Sequence, residues 1–130
     1  MFGGKISYNK AGCGGGVCVC NGDFSFYYGT ISNDESTDDG GGVFFESESI
    51  HTFSMNYSST ISDNKAKTVG SGVRLYSGNM VFSNGTIQNN IAEASGSGIK
   101  ISSGTLTFTK GVIQKNTAKM GTGILIIMAV

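Results

Sequence analysis

Apolar residues alternate with polar or small residues along most of the chain, in pairs that keep a fixed position relative to glycine. Each Gly-x-Gly segment is followed by two apolar residues with one residue between them: Val17/Val19, Val43/Phe45, Val73/Leu75, Ile99/Ile101 and Ile124/Ile126. A second apolar pair follows in four copies: Phe24/Phe26, Phe53/Met55, Met80/Phe82 and Leu106/Phe108. Because a period of two is typical of a strand with one buried face, the pattern predicts many short β-strands.

Two sequence signatures organise this alternation and follow each other in strict order. Gly-x-Gly followed by Val or Ile begins at residues 14, 40, 70, 96 and 121, in steps of 26, 30, 26 and 25 residues. Ile-x-x-Asn-x-Ala begins at Ile6, Ile61, Ile87 and Ile113, and a variant copy begins at Ile31. The longest copy carries its extra residues around "ESESIH" and "NYSS", which we interpret as turns. A period of this length indicates a solenoid with one repeat per coil.

The repeat predicts an all-β fold, a single-stranded parallel β-helix of about five coils of 25–30 residues with three short strands per coil. One such coil cannot bury enough apolar surface to offset its own chain entropy, so successive coils must stack as parallel strands. Right-handed winding is expected from the chirality of crossover connections. We predict one domain over 1–130, with a partial coil 1–13, coils 14–39, 40–69, 70–95 and 96–120, and a partial coil 121–130.

The Asn of the second signature is predicted to form a column along the solenoid axis, composed of Asn9, Asp34, Asn64, Asn90 and Asn116. A carboxamide both donates and accepts hydrogen bonds, so stacked copies can bond to one another. Asn also tolerates left-handed backbone, and we expect the column residues themselves to make the bend. Asp34 is expected to accept hydrogen bonds from the amides above and below it.

Charge and composition exclude several classes of partner. Nine basic and nine acidic residues balance, and no run of like charge occurs, so no nucleic-acid or anionic-membrane surface is predicted. The first residues, "MFGGKISYNKAG", lack the apolar core of a secretory signal. The apolar "GILIIMAV" at the other end is much shorter than the ~20 residues of a bilayer span.

Taken together, the two signatures resemble those of a known family. "GGGV", "GSGI" and "GTGI", alternating with "ISYN", "ISDN", "IQNN" and "IQKN", are similar to the "GGAI" and "FxxN" tetrapeptides of chlamydial polymorphic outer membrane proteins and related adhesin-like proteins, with Ile in place of Phe. The resemblance covers nearly the whole chain. It implies a secreted or surface-displayed β-helix that adheres to a protein or glycan on a host or neighbouring cell. We expect a fragment of a longer repeat protein, with the same β-helix continuing beyond both ends.

Enzymatic function is the alternative, because pectate-lyase-like carbohydrate-active enzymes also use β-helices. The catalytic coil would then lie outside this segment. An enzyme of this type should carry clustered carboxylates with Lys or Arg on adjacent coils, and we find no such cluster in the sequence. The outward positions of the first strand of each coil are Cys18/Cys20, Phe44/Glu46, Arg74/Tyr76, Lys100/Ser102 and Leu125/Ile127. Glu46 is the one carboxylate among them. We therefore predict no enzyme, no catalytic residue and no cofactor.

No metal site is predicted either. The acidic cluster of Asp34, Glu35, Asp38 and Asp39 is interpreted as a solvated turn rather than a Ca²⁺ site. Cys18 and Cys20 share one face of a strand, where a soft-metal or redox pair is conceivable, and Cys13 lies in the preceding bend. Three clustered thiols without a fourth ligand do not make a zinc site, and we interpret them as ordinary outward cysteines.

The binding surface is predicted from outward aromatic residues and their basic neighbour. Tyr27, Phe44 and Tyr76, with Arg74, are the expected contact residues. Aromatic and Arg side chains are enriched among the residues that dominate binding energy at interfaces.

Overall fold

The structure, a computed structural model, describes residues 1–127; the last three residues of the predicted partial coil 121–130 lie outside this range. All regular elements in 1–127 are β-strands, and their parallel sheets stack as a β-solenoid of about five turns with three strands per coil. The predicted fold class is confirmed. Residues 1–127 form no helix, and therefore none that could cross a bilayer.

The strands lie in three sheets. The first sheet contains the strands that follow Gly-x-Gly: β3 (Val17–Cys20), β6 (Val43–Glu46), β9 (Val73–Ser77), β13 (Ile99–Ile101) and β16 (Ile124–Ile126). The second sheet contains β1 (Phe2–Ser7), β4 (Phe24–Ser32), β7 (Thr52–Ser62), β10 (Asn79–Phe82), β11 (Thr86–Gln88), β14 (Thr105–Phe108) and β15 (Val112–Gln114). The third sheet contains the two-residue strands β2 (Lys10–Ala11), β5 (Glu35–Ser36), β8 (Lys65–Ala66) and β12 (Ile91–Ala92).

Strand pairing places equivalent repeat positions opposite one another. In the first sheet Val43 pairs with both Val17 and Val73, and Ile99 pairs with Val73 and Ile124. In the second sheet the signature isoleucines form one column: Ile6, Ile31, Ile61, Ile87 and Ile113. Since a one-residue slip would turn every inward side chain outward, this register holds the core together.

The core is the continuous interior of the coils. The inward residues of the central coils are fully buried: Phe26, Ile31, Val43, Phe45, Phe53, Met55, Ile61, Val73, Leu75, Met80, Phe82, Ile87 and Ile99 are each 0% exposed. Toward the ends of the solenoid the equivalent side chains, such as Val17 and Leu106, are only partly buried. Each coil therefore relies on its neighbours to cover its apolar layer.

Hydrogen bonds link the five column residues from coil to coil. The Nδ2 group of Asn64 donates to Asn90 Oδ1 (3.1 Å), and that of Asn90 donates to Asn116 Oδ1 (3.0 Å). The backbone N–H groups of Asn64 and Asn90 donate to the same oxygens, each at 3.0 Å. The oxygens of Asn90 and Asn116 thus each take both donors of the preceding coil, which pairs these polar groups at the bend.

Asp34 departs from the expectation that it accepts from both sides. Its Oδ1 accepts from the backbone N–H and Nδ2 of Asn9 at 2.8 and 2.9 Å, whereas its own N–H donates to Asn64 Oδ1 at 3.0 Å. Its Oδ2 is buried without a partner in the described chain. The expectation was wrong because the column is directional: each column Oδ1 from Asp34 onward accepts from the column residue of the preceding coil.

The second Gly of the first four Gly-x-Gly segments packs against this column. A Cβ atom on Gly42 would lie 2.7 Å from the Gly72 oxygen and 2.9 Å from Asn64 Nδ2. A Cβ atom on Gly72 would lie 2.5 Å from the Gly98 oxygen and 3.1 Å from Asn90 Nδ2. No side chain fits at these distances, so the Gly of the first signature recurs because it contacts the column residue of the second.

The left-handed backbone lies one residue before the column. Positive φ values between 54° and 61° occur at Tyr8, Asn33, Asp63, Asn89 and Lys115, and the column residues themselves are not among the positive-φ residues. The expectation that the Asn column makes the bend was therefore wrong. An exposed residue reverses the chain instead, which leaves the following side chain free to turn inward.

Lys115 is the bend residue that a substitution should improve. Left-handed backbone costs more conformational free energy for Lys than for Asn. Lys115→Asn is therefore expected to raise the free energy of unfolding by about 0.5–1 kcal/mol. Urea denaturation measures this change. Lys119→Asn is the matched control, because Lys119 is exposed and has no positive φ, and it should shift stability by less than about 0.5 kcal/mol. Equal shifts in both variants would contradict the prediction.

Candidate functional site

The structure brings three of the four predicted contact residues together. Phe44, Arg74 and Tyr76 lie on neighbouring strands of the first sheet. The rings of Phe44 and Tyr76 are 6.2 Å apart, and the guanidinium carbon of Arg74 lies 5.2 Å from the Tyr76 ring centroid. Tyr27 lies in β4 of the second sheet, so the four residues do not form one surface.

Phe44 and Arg74 are buried although they point away from the core. They are 8% and 6% exposed, whereas Tyr76 is 47% exposed. The bend before each strand lies against its first outward side chain: a Cβ atom on Gly40 would lie 2.9 Å from Phe44 Cβ, and one on Gly70 would lie 2.8 Å from Arg74 Cβ. The prediction equated outward with exposed, and for these two residues it was wrong.

A buried group of charged residues lies on the outer face of the first sheet. Arg74 Nε donates to Asp39 Oδ2 at 3.2 Å. Lys100 lies opposite Arg74 on the neighbouring strand and is 6% exposed. Burial lowers the pKa of Lys100, as does the positive charge of Arg74, while Asp39 acts in the opposite direction. Two cations thus lie near one carboxylate.

Removing the Lys100 charge is expected to stabilise the fold. Because the folded-state pKa of Lys100 lies below its ordinary value of 10.5, its protonated form costs stability at neutral pH. This cost disappears as pH rises through the folded pKa toward 10.5. Lys100→Met should therefore be about 1 kcal/mol more stable than the wild type at pH 7, with a gap that narrows toward high pH.

Chemical denaturation at several pH values measures that gap. Lys67→Met, at an exposed position, is the matched control and should show no gap of this kind. A gap for Lys100→Met that stays constant up to pH 10.5 would contradict the assignment.

Tyr27 belongs to a group of rings that we did not predict from the sequence. This aromatic cluster consists of Phe2, Tyr27, Tyr28 and Tyr57. Tyr28 and Tyr57 stack with centroids 5.1 Å apart and planes 11° apart. Tyr27 meets Tyr57 at 5.8 Å and Phe2 at 5.1 Å, both edge to face. Phe2, Tyr57 and Tyr28 are 76%, 52% and 41% exposed, so the cluster offers aromatic surface to a partner.

A register shift between β4 and β7 creates the cluster. Phe26 pairs with Met55, but the next pairing joins Tyr28 to Ser58. β7 therefore carries one extra residue at this point, and Tyr57 takes a positive φ of 51°. Two features of the sequence could have revealed this: "FYYG" breaks the alternation of period two, and "NYSS" adds one residue to a strand, where we assumed a turn.

A charged groove of about 440 Å³ runs along the outer face of the third sheet. Lys10, Glu35 and Lys65 occupy equivalent positions on successive coils, and Lys67 and Glu93 line the same groove. Lys10 Nζ lies 3.0 Å from Glu35 Oε1, with both side chains well exposed. We found no carboxylate–lysine cluster in the sequence, yet the structure forms one, because the stacking of two-residue strands brings these residues together.

The cysteines are free thiols on and before the edge strand of the first sheet. Cys18 and Cys20 are exposed, with their sulfurs 3.9 Å apart. Burial of the Cys18 sulfur raises the pKa of that thiol to about 11, with further contributions from Cys20, Cys13 and Glu46. Within residues 1–127, no three His, Cys, Asp or Glu side chains converge on a point that could hold a metal ion.

No protein-family model, curated protein or solved structure matches the chain. The function is therefore inferred from the surfaces of the molecule.

Proposed function

We propose that this chain is a non-enzymatic, adhesin-like β-solenoid segment that acts at the cell surface or outside the cell. Its partner would be a protein or glycan of a host or neighbouring cell. The observation that carries this proposal is the aromatic cluster, whose rings Phe2, Tyr28 and Tyr57 are between 41% and 76% exposed. Contiguous apolar surface exposed in this way marks interaction sites in soluble proteins.

The chemistry of the cluster suits binding. A Tyr side chain has a flat apolar body and a hydroxyl at its edge, so it can stack on a sugar ring or a side chain and hydrogen-bond as well. It also loses little conformational entropy when it is immobilised. The cluster therefore supports a protein or a glycan as partner, as the resemblance of the repeats to polymorphic outer membrane proteins also implies.

The scaffold beneath the cluster is rigid, which favours affinity. Tyr27 and Tyr28 directly follow Phe26, and Tyr57 follows Met55 after one residue; both Phe26 and Met55 are fully buried. The neighbouring strands are paired on each side of the register shift. The rings are attached to paired strands and already pack on one another. Binding should therefore lose less conformational entropy than it would on a mobile loop.

Replacing the two stacked rings should weaken binding. In Tyr28→Ser/Tyr57→Ser, binding of the labelled protein to intact cells and to glycan arrays is expected to weaken at least about tenfold. Tyr76→Ser is the matched control, because Tyr76 is similarly exposed (47%) but lies on the first sheet. Circular dichroism verifies that both variants fold. A double variant that binds as well as the wild type would refute this site, and a folded wild type that binds no cell or glycan would refute the proposed function.

The second candidate function is carbohydrate processing in the charged groove. It is favoured by one observation, the placing of Glu35 between Lys10 and Lys65 on adjacent coils. A carboxylate and a neighbouring ammonium group are the residue types that proton transfer requires. Incubation with acidic and neutral polysaccharides should release fragments if this function is correct, and Glu35→Gln should stop the release. We expect no release, because these side chains are solvated and already paired.

A further inference from the structure

Cys18 and Cys20 stand side by side on the outer face of β3, the edge strand of the first sheet. Residues two apart in a strand point to the same face, and here the two sulfurs are 3.9 Å apart. Both side chains are exposed, and β3 pairs only with β6 among the described strands. The pair is therefore preformed and open to solvent.

The separation of the sulfurs suits a bridging ion. Metal–thiolate bonds are about 2.3 Å long, so two sulfurs bound to one ion can lie up to about 4.6 Å apart. At 3.9 Å the two bonds would meet the ion at an angle of about 115°, and rotation of the two exposed side chains to a separation of about 4.6 Å would give the linear arrangement of a two-coordinate ion. The thiols would lose their protons to solvent as the bonds form.

A disulfide is a poorer use of the same pair. A disulfide needs sulfurs about 2.05 Å apart and Cα atoms that are usually closer than about 6.8 Å. Residues two apart in a strand have Cα atoms about 6.6 Å apart, at the upper limit of that range. Both cysteines are free thiols, and joining their sulfurs would strain the strand.

We propose that Cys18 and Cys20 bind one soft, thiophilic metal ion of low coordination number, with Cu(I) as its representative. Thiolate ligands select such ions, whereas a structural Zn²⁺ site requires four ligands. Within residues 1–127, no further His, Cys, Asp or Glu completes a set of three around the pair. The donor set is thus two sulfurs. This site is independent of the aromatic cluster.

Anaerobic titration of the reduced protein with Cu(I), in competition with a chromophoric Cu(I) chelator, tests the proposal. We expect uptake of one Cu(I) per chain, with affinity at least about tenfold weaker in Cys18→Ser and in Cys20→Ser. Cys13→Ser is the matched control and should bind like the wild type. All three variants should keep the wild-type circular dichroism spectrum and thermal midpoint, since none of these thiols is buried in the core.

Three outcomes would overturn the proposal. The first is a wild type that takes up no stoichiometric Cu(I). The second is undiminished uptake by the Cys18→Ser/Cys20→Ser double variant, which would place the ion elsewhere. The third is a Cys13→Ser variant that loses as much affinity as Cys18→Ser, which would rule out a site of two sulfurs.

Discussion

Replacing Asn90 by Ala is expected to lower the free energy of unfolding by about 3–9 kcal/mol. Asn90 is 0% exposed; its Oδ1 accepts two hydrogen bonds from Asn64, and its Nδ2 donates to the Ile61 oxygen at 3.2 Å. Truncation would leave three buried groups unpaired, at about 1–3 kcal/mol each: the backbone N–H of Asn64, the Nδ2 proton of Asn64 that pointed to Asn90, and the Ile61 carbonyl. Domains have only about 5–15 kcal/mol of total stability, so this variant should be close to unfolding.

Urea denaturation and the thermal midpoint measure the effect. Gln88→Ala is the matched control, because Gln88 also carries a carboxamide hydrogen-bonded along the axis, to Gln114 at 2.9 Å, but in a bond that is exposed to solvent. Its removal should cost less than about 1 kcal/mol, since water can replace the lost bond. Similar losses in the two variants would mean that burial of the Asn column contributes nothing of its own.

Replacing Asp34 by Asn is expected to raise the free energy of unfolding by about 1–3 kcal/mol. Asp34 is 1% exposed, and its Oδ2 has no hydrogen-bond partner in the described chain. In the next coil, the atom at this place is Asn64 Nδ2, which donates to the Ile31 oxygen of the preceding coil at 3.2 Å. Ile6 pairs with Ile31, so an Asn at position 34 would direct the same donor toward the Ile6 carbonyl.

The reverse substitution is the control for this gain. Asn64→Asp keeps the accepting oxygen but replaces the Nδ2 donor with a second oxygen that would face the Ile31 carbonyl. It should lower stability by a similar amount, as measured by chemical denaturation at the same pH. If Asp34→Asn is less stable than the wild type, the second oxygen of Asp34 has a partner and the directional column is wrong.

The fold could be predicted because the residues that it requires, inward apolar pairs and the Gly and Asn of the two signatures, recur along the sequence. Core residues recur with a period of two, so the sequence alone was enough to align Val43, Val73 and Ile99, which pair across neighbouring strands. Gly-x-Gly and Ile-x-x-Asn recur together because the second Gly lies against the column, as Gly72 does against Asn90. Repetition thus converted a weak local signal into a firm prediction of the coil.

The surface could be predicted less well, because it depends on contacts that do not repeat. Phe44 and Arg74 point outward but are covered by bends, which a strand pattern cannot show. Tyr57 becomes part of the aromatic cluster through a single register shift. The groove residues Lys10 and Glu35 are far apart in the sequence and meet only when coils stack. Each of these features required knowledge of the neighbouring coil.

The central claim is that the coils stack in register around a buried, hydrogen-bonded Asn column. Hydrogen exchange of Asn side-chain amides, measured by NMR, tests it most directly. The carboxamide protons of Asn64 and Asn90 should exchange far more slowly than those of Asn33 and Asn89, which lie exposed one residue before the column. If all four exchange at the same fast rate, the column is not buried and the proposed stacking is wrong.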